Sequence, residues 1–222
     1  MNSIITTKAI VFDIDDTLHQ TIKSKWQAIK ATGKKFYQVD ITDQKLKRYW
    51  GLPFRKLMIS LLGKYDNFAN IQRHYLEVSS QFPMSAHKNA QKILNYLKTK
   101  YVLCALTSSS RKVIIKDFNE SKIGIYLFNY IQTSDARFHK PNPNVFKLIL
   151  KKLHEIGIVK KDIVYIGDSL SDWQTCQAAK IKFIGVTSGL TTKKDFQKAG
   201  LPQTLIIDDL SSLAKLLRTK VR

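Results

Sequence analysis

Ala9-Ile10-Val11-Phe12-Asp13-Ile14-Asp15-Asp16-Thr17-Leu18 is the stretch on which the reading of this chain turns. Its first four residues are apolar, β-branched or aromatic, which predicts a short buried strand. An acid ends the run. Side chains two apart on an extended chain point to the same side, so Asp13 and Asp15 converge where the strand stops. Close carboxylates resist ionising together; a cation between them, or a proton on one, relieves the repulsion, and both conditions suit chemistry. The plain alternative is an Asp-rich turn that merely ends a strand, since Asp is a common turn residue. The rest of the chain decides between the two.

Outside residues 19–83 the sequence alternates regularly. Strands are expected at 8–13, 101–107, 129–133, 162–167, 181–186 and 204–208, with helices at 86–99, 110–121, 143–156, 171–179, 191–199 and 209–219. Strands separated by helices pair in parallel, which predicts an α/β, Rossmann-like parallel sheet with helices on both faces. Tyr101-Val102-Leu103-Cys104-Ala105-Leu106 and Ile163-Val164-Tyr165-Ile166 are apolar on both sides, as strands covered on each face must be. Asn142-Pro143 reads as a helix start, with Asn as cap and Pro in the first turn, followed by Val145, Leu148, Ile149, Lys152 and Ile156 at roughly helical spacing. The tail after Leu217 is short and basic, and fraying is expected there.

Residues 19–83 interrupt the alternation with four helical patterns, at 21–32, 42–50, 53–62 and 66–80, and no strand. Trp26, Ile29, Leu46, Tyr49, Trp50, Leu57, Ile59, Leu61, Leu62, Phe68, Ile71, Tyr75 and Leu76 are expected to form a small core of their own. This segment holds twelve Lys or Arg against four Asp or Glu. It enters just after the acid cluster and leaves near Phe82-Pro83-Met84-Ser85, the layout of a lid over a site. The expected organisation is therefore a catalytic core of 1–18 with 84–222, and an inserted all-helical cap domain, 19–83.

Composition narrows the classes. Of 222 residues, 44% are hydrophobic and 24% charged, ordinary for a globular protein. No apolar run approaches the ~20 residues that span a bilayer, and the first residues lack the pattern of a signal peptide; no membrane association is expected. Cys104 and Cys176 have no disulfide or zinc spacing, which suits two reduced thiols and a cytoplasmic location. The five histidines likewise lack metal-ligand spacing. The net charge of +20 favours anionic substrates. Only seven of the 37 basic residues are Arg, however, and base readout and bidentate phosphate capture favour Arg. No specific nucleic-acid partner is expected.

Open α/β sheets bind ligands beyond the carboxyl ends of their strands. There this sequence offers Asp13 and Asp15; Thr107 followed by Ser108, Ser109 and Ser110; Lys140-Pro141 after the third strand; and Gly167-Asp168 with Asp172 after the fourth. Each has an ordinary alternative: a helix cap for Thr107 and Ser108, a solvated surface charge for Lys140, a turn acid for Asp168, a plain helix residue for Asp172. Acids alone make a cation site; hydroxyls, backbone N–H groups and a lysine make an anion site. Together they describe metal-assisted phosphoryl chemistry.

In these four motifs, taken in order across nearly the whole chain, the sequence resembles the haloacid dehalogenase superfamily of phosphotransferases. It is most similar to the branch with a helical cap after the first motif, which includes phosphoglycolate phosphatase and β-phosphoglucomutase. The resemblance implies Asp13 as nucleophile and Asp15 as general acid and base. It implies Mg²⁺ held by Asp13, the backbone carbonyl of Asp15 and Asp168, with Asp172 completing the metal site or orienting Lys140. Thr107, the N–H of Ser108, and Lys140 would bind the phosphoryl group. Family dehalogenases lack the second acid of the first motif; its presence here favours phosphate esters. Asp16 stands where many relatives have Gly. Gly51-Leu52-Pro53-Phe54-Arg55 resembles a stretch of phosphoglycolate-phosphatase-like caps, with Arg55 as a candidate contact to the distal part of a substrate. The expected function is Mg²⁺-dependent hydrolysis of a small phosphorylated metabolite. A sugar phosphomutase is the nearest alternative, and a polyanion-binding protein with a vestigial site a more distant one.

Overall fold

The computed structural model describes residues 5–219. The chain divides into two compact units, one built from the chain up to Gln20 and from Ala86 onward, the other from Thr21–Ser85.

In the first unit, β1 (Ile5–Thr7) and β2 (Ala9–Phe12) precede the excursion into the second unit. The chain then continues through α5 (Ala90–Lys98), β3 (Val102–Leu106), α6 (Arg111–Ser121), β4 (Tyr130–Gln132), α7 (Lys147–His154), β5 (Ile163–Gly167), α8 (Leu170–Ala179), β6 (Lys182–Val186), α9 (Lys193–Lys198), β7 (Ile206–Ile207), α10 (Leu213–Leu216) and β8 (Leu217–Thr219). Six strands form one sheet in the order β4-β3-β2-β5-β6-β7, with every neighbouring pair parallel. β2 lies between β3 and β5, and the strand order reverses about it. That reversal is where such sheets open a crevice at their carboxyl ends.

Successive strand residues feed opposite apolar layers. Ile10, Phe12, Leu103, Ala105, Val164 and Ile166 pack with Leu94, Leu97, Ile114 and Phe118 from α5 and α6. Ala9, Val11, Cys104, Leu106, Ile163 and Tyr165 pack with Ile149, Leu153, Cys176 and Phe196 from α7, α8 and α9. This two-sided cover is why the strands read as unbroken apolar runs. Cys104 and Cys176 are free and buried. No helix among the described residues is long and apolar enough to cross a membrane.

Three expectations fail in detail. The helix expected over 209–219 shortens to a 3₁₀ turn at Leu210–Ser212 and one turn of α10, and the chain then turns into β8. β8 pairs in parallel with β1 in a separate two-stranded sheet, Ile5 opposite Leu217; the tail to Thr219 is thus paired where fraying was expected, and residues 220–222 lie outside the described residues. The start of α7 is a 3₁₀ turn, Pro143–Phe146, capped by the Asn142 side chain. Val145, Ile149 and Leu153 are buried at i, i+4 spacing, whereas Leu148 and Ile156 are exposed; Ile156 lies in the turn past the end of α7.

The second unit holds α1 (Thr21–Tyr37), α2 (Asp43–Tyr49), α3 (Phe54–Leu62) and α4 (Phe68–Ser79). Its core contains Trp26, Ile29, Leu46, Leu57, Leu61, Leu62 and Ile71, joined by Met58 and Ile41. Ile59 and Leu76, expected in this core, are exposed on the outer faces of α3 and α4. Thr42 and Asn67 cap α2 and α4 with their side chains. Ser24 Oγ donates to Pro83 O at 3.0 Å, tying the unit's entry to its exit. Arg55 lies 5.0 Å over the Phe68 ring.

Candidate active site

β2 hands its last residue directly to the site. Asp13 N–H donates to Ile166 O of β5 at 2.8 Å, so sheet pairing fixes the backbone that carries its side chain. The chain then folds tightly: Leu18 and His19 N–H both donate to Ile14 O, at 2.9 and 3.0 Å. Asp16 takes a left-handed φ of 58° within this turn. Only Gly, Asn and Asp adopt that conformation readily, which explains Asp at a position where Gly also fits. Ser188 Oγ braces the turn by donating to Asp16 O at 2.6 Å.

Asp13, Asp168 and Asp172 are buried together, each offering an oxygen within 4.8 Å of the others. Lys140 reaches in from the β4–α7 loop, where its bond to Pro141 is cis. Its ammonium lies 2.7 Å from Asp13 Oδ1 and 2.6 Å from Asp172 Oδ1, with all three side chains at 8% exposure or less. Three carboxylates face one ammonium. Burial, together with the neighbouring acids, pushes Asp13 up to about 8 despite the lysine. Burial raises Asp168 as well, helped by Asp13 and Asp172. Burial works against the Lys140 charge, but Asp13 and Asp172 outweigh it and hold the amine protonated.

The acids are not equivalent. Asp172 Oδ1 accepts from Lys140 and from the Tyr165 hydroxyl, and Oδ2 accepts from Ser169 N–H and Oγ–H. With Ser169 it forms the capping box that starts α8. Asp168 Oδ1 accepts from Thr17 Oγ at 3.2 Å, and its Oδ2 faces Gly189. A Cβ at Gly189 would stand 1.9 Å from that oxygen, and one at Gly167 would stand 2.7 Å from Asp172 Oδ2. Both glycines therefore leave the space that the carboxylates occupy. Gly189→Ala is expected to cost about 1–3 kcal/mol by overpacking; a urea-unfolding midpoint equal to the parent's would contradict this.

Asp15 has a different set of partners. Its Oδ2 accepts from Thr107 Oγ at 3.0 Å and Ser109 Oγ at 2.9 Å. Ser109 N–H in turn donates to Thr107 Oγ at 3.0 Å, and Thr107 N–H pairs with Gln132 O. Ser108 is exposed between them. The structure thus gathers Asp13, Lys140, Asp168 and Asp172 in one cluster and Asp15 with Thr107 in an adjoining one.

Sequence reasoning passed over Tyr165, Thr17, Ser109, Ser169 and Gly189. A signal existed for Tyr165: a lone phenol in an aliphatic strand, two residues before Gly167-Asp168, must find a partner for its hydroxyl. Ser109 was one of three consecutive serines, and nothing in the residue types singled it out.

Whether a divalent cation fits can be judged from these residues. The donors around the cluster are all oxygens, as a hard cation such as Mg²⁺ prefers. The buried negative charge exceeds what Lys140 offsets, and both Asp13 and Asp168 resist ionising without further compensation. The space opened at Gly189 keeps an Asp168 oxygen unobstructed by a side chain. The cluster fits such an ion.

The family model of haloacid dehalogenase-like hydrolases matches residues 10–186. Phosphoglycolate phosphatase 1 of Pseudomonas aeruginosa is 23% identical over 217 residues, 93% of this chain and 78% of its own length. A predicted phosphoglycolate phosphatase from Haemophilus somnus has the same fold, with a TM-score of 0.78 at 20% identity, covering 94% of this chain and 97% of that one. CbbY from Rhodobacter sphaeroides, solved in complex with phosphate, superposes with a TM-score of 0.72 at 18% identity, covering 95% and 99%.

Proposed function

From the premise that this chain belongs to the haloacid dehalogenase-like hydrolase family, we propose that it is a Mg²⁺-dependent phosphatase that hydrolyses a small phosphomonoester through an aspartyl-phosphate on Asp13. The observation that carries the reading is the buried set of Asp13, Asp168 and Asp172 around a single lysine, at the point where the strand order reverses.

In this reading Asp13 Oδ attacks phosphorus as the ester P–O bond breaks, and Asp15 gives its proton to the leaving oxygen. Asp15, now ionised, takes a proton from the water that attacks the aspartyl-phosphate, releasing phosphate and restoring Asp13. Thr107 Oγ and Ser108 N–H bind phosphoryl oxygens in the loop between β3 and α6. Lys140 offsets charge on the phosphoryl group and on Asp13. Asp13 and Asp168, with the backbone carbonyl of Asp15, would hold Mg²⁺. Asp172 keeps Lys140 in place, since its oxygens are already occupied by Lys140, Tyr165 and Ser169. The ion, when bound, supplies the positive charge that lets an anionic nucleophile approach an anionic phosphate.

The helical unit Thr21–Ser85 serves as a cap in the same reading. Its insertion directly after the first motif and its excess of basic residues support that role, and the expected boundaries of 19–83 differ from the observed unit by two residues at each end. Two buried free thiols support a reducing, cytoplasmic setting.

A screen of phosphorylated metabolites with Mg²⁺, scored by phosphate release, tests the proposal. Release from none of them defeats it. Glucose 1-phosphate belongs in the screen: an isomeric sugar phosphate in place of free phosphate would make the enzyme a mutase. Asp15→Asn is expected to lower kcat for alkyl phosphates by about 10²–10⁴-fold, the usual worth of a general acid. p-Nitrophenyl phosphate, whose leaving group needs no proton, should lose less in the first step, and phosphorylated protein should accumulate. Equal losses for both substrates, without accumulation, would remove Asp15 from that role.

A further inference from the structure

Tyr165 lies within β5 with its ring in the apolar layer under α7 and α8. Phe146 meets the ring edge-on at 5.6 Å and Phe183 stacks at 6.2 Å. The residue is fully buried. Its hydroxyl nevertheless emerges in the acid cluster, 3.1 Å from Asp172 Oδ1, 3.3 Å from Lys140 Nζ and 3.4 Å from Leu106 O. Nothing in the family motifs accounts for a phenol there.

Counting protons settles what it does. An ammonium has three N–H donors and accepts nothing. Around Lys140 Nζ stand three acceptors: Asp13 Oδ1, Asp172 Oδ1 and the phenol oxygen. Tyr165 therefore accepts from Lys140. Its own proton goes to Asp172 Oδ1, which at 3.1 Å is nearer than Leu106 O at 3.4 Å. The phenol thus closes a triangle in which the lysine and the acid that orients it are both tied to one rigid ring on a central strand. A long, flexible lysine side chain loses much rotamer freedom when held so, and a ring buried against Phe146 and Phe183 is the means of holding it.

We propose that Tyr165 is a positioning residue for phosphoryl transfer: it fixes the Lys140 ammonium and the Asp172 carboxylate relative to each other, so that the lysine faces Asp13 and the incoming phosphoryl oxygens. The proposal rests on the phosphatase reading above. The Lys140–Tyr165 bond is the longest of the lysine's three.

Tyr165→Phe keeps the ring and removes only the hydroxyl, so the fold should survive with a melting temperature near the parent's. The kcat for the best substrate should fall roughly ten- to a hundred-fold, the worth of hydrogen bonds to charged groups, with KM changed less than about three-fold. A purely structural tyrosine would not act through lysine. In a Lys140→Ala background the Phe substitution should therefore cost little more, because residues acting as a unit are non-additive. A parental kcat in Tyr165→Phe, or equal losses with and without Lys140, overturns the proposal. A second readout needs no activity. The Lys140 ammonium, identified by the loss of its ¹⁵N–¹H NMR signal in Lys140→Ala, should exchange slowly with water in the parent and fast in Tyr165→Phe; unchanged exchange also overturns it. If the parent hydrolyses nothing, the phosphatase reading fails, and the exchange experiment still judges the tether.

Discussion

Asp13→Asn should abolish turnover of p-nitrophenyl phosphate, by ~10⁴-fold or more, and should leave the fold intact. The amide has nearly the shape of the carboxylate, and its oxygen can still accept from Lys140. That neutral oxygen is too weak a nucleophile to attack phosphorus and form the aspartyl-phosphate. Its effect on stability has the opposite sign to its effect on activity. Asp13 is pushed up to about 8 from an ordinary 3.8, so the folded protein holds its proton more tightly than the unfolded chain does. Stability from that proton is fully present below about 3.8 and is lost as pH rises through about 8. Without Mg²⁺, and above pH 8, the neutral amide relieves a charge that the parent must bear, and the variant should melt no lower than the parent. Turnover above one part in a hundred would remove Asp13 as nucleophile. A collapse of the melting temperature would show that the loss of activity came from unfolding.

The experiment separates chemistry from architecture because the two were legible to different degrees. The sheet was readable because burial on both faces imposes a continuous apolar run on each strand, and Ile163-Val164-Tyr165-Ile166 and Leu103-Cys104-Ala105-Leu106 leave little choice. The four inserted helices were readable from their apolar spacing. What failed was local. Ile59 and Leu76 are apolar residues that the periodicity could not tell from core, since apolar side chains are common on surfaces. The pairing of Leu217–Thr219 with Ile5–Thr7 joins the two ends of the chain, and no pattern within either short segment announces a partner so distant in sequence.

In the site, the charged residues were legible from their order along the strands. The neutral residues that hold them were not. Thr17 on Asp168, Ser109 on Asp15 and Tyr165 on Lys140 matter through where they stand, and hydroxyls are too frequent in this sequence to be picked out by type. Gly189 belongs with them: it contributes an absence of atoms, and only coordinates reveal that Asp168 fills the space. The division has a physical basis. A buried charge is expensive without compensation, so it stands out wherever it appears in an apolar context, whereas a hydroxyl or a glycine costs little anywhere.

The same cost predicts how the proposed phosphatase answers to Mg²⁺. Dialysis against a chelator should lower phosphatase activity by about 10³-fold or more, since the approach of two anions then goes unscreened, and Mg²⁺ should restore it. Melting should respond too, because an ion that binds only the folded state stabilises it by mass action, about 2.7 kcal/mol at a hundred times its Kd. The dependence on pH follows from the acids. Asp13 and Asp168 both hold their protons above the usual carboxylate range, and metal must displace those protons to bind. The rise in melting temperature on adding Mg²⁺ should therefore be small near pH 5.5, grow towards pH 8, and level off once Asp13 is ionised. Metal-free protein should show the reverse trend, losing stability over the same interval as the carboxylates are forced to charge. Asp168→Asn should flatten both curves. A Mg²⁺-induced shift that is equal at pH 5.5 and pH 8, or that survives in Asp168→Asn, would mean that the cation binds elsewhere and that the buried acids serve another purpose.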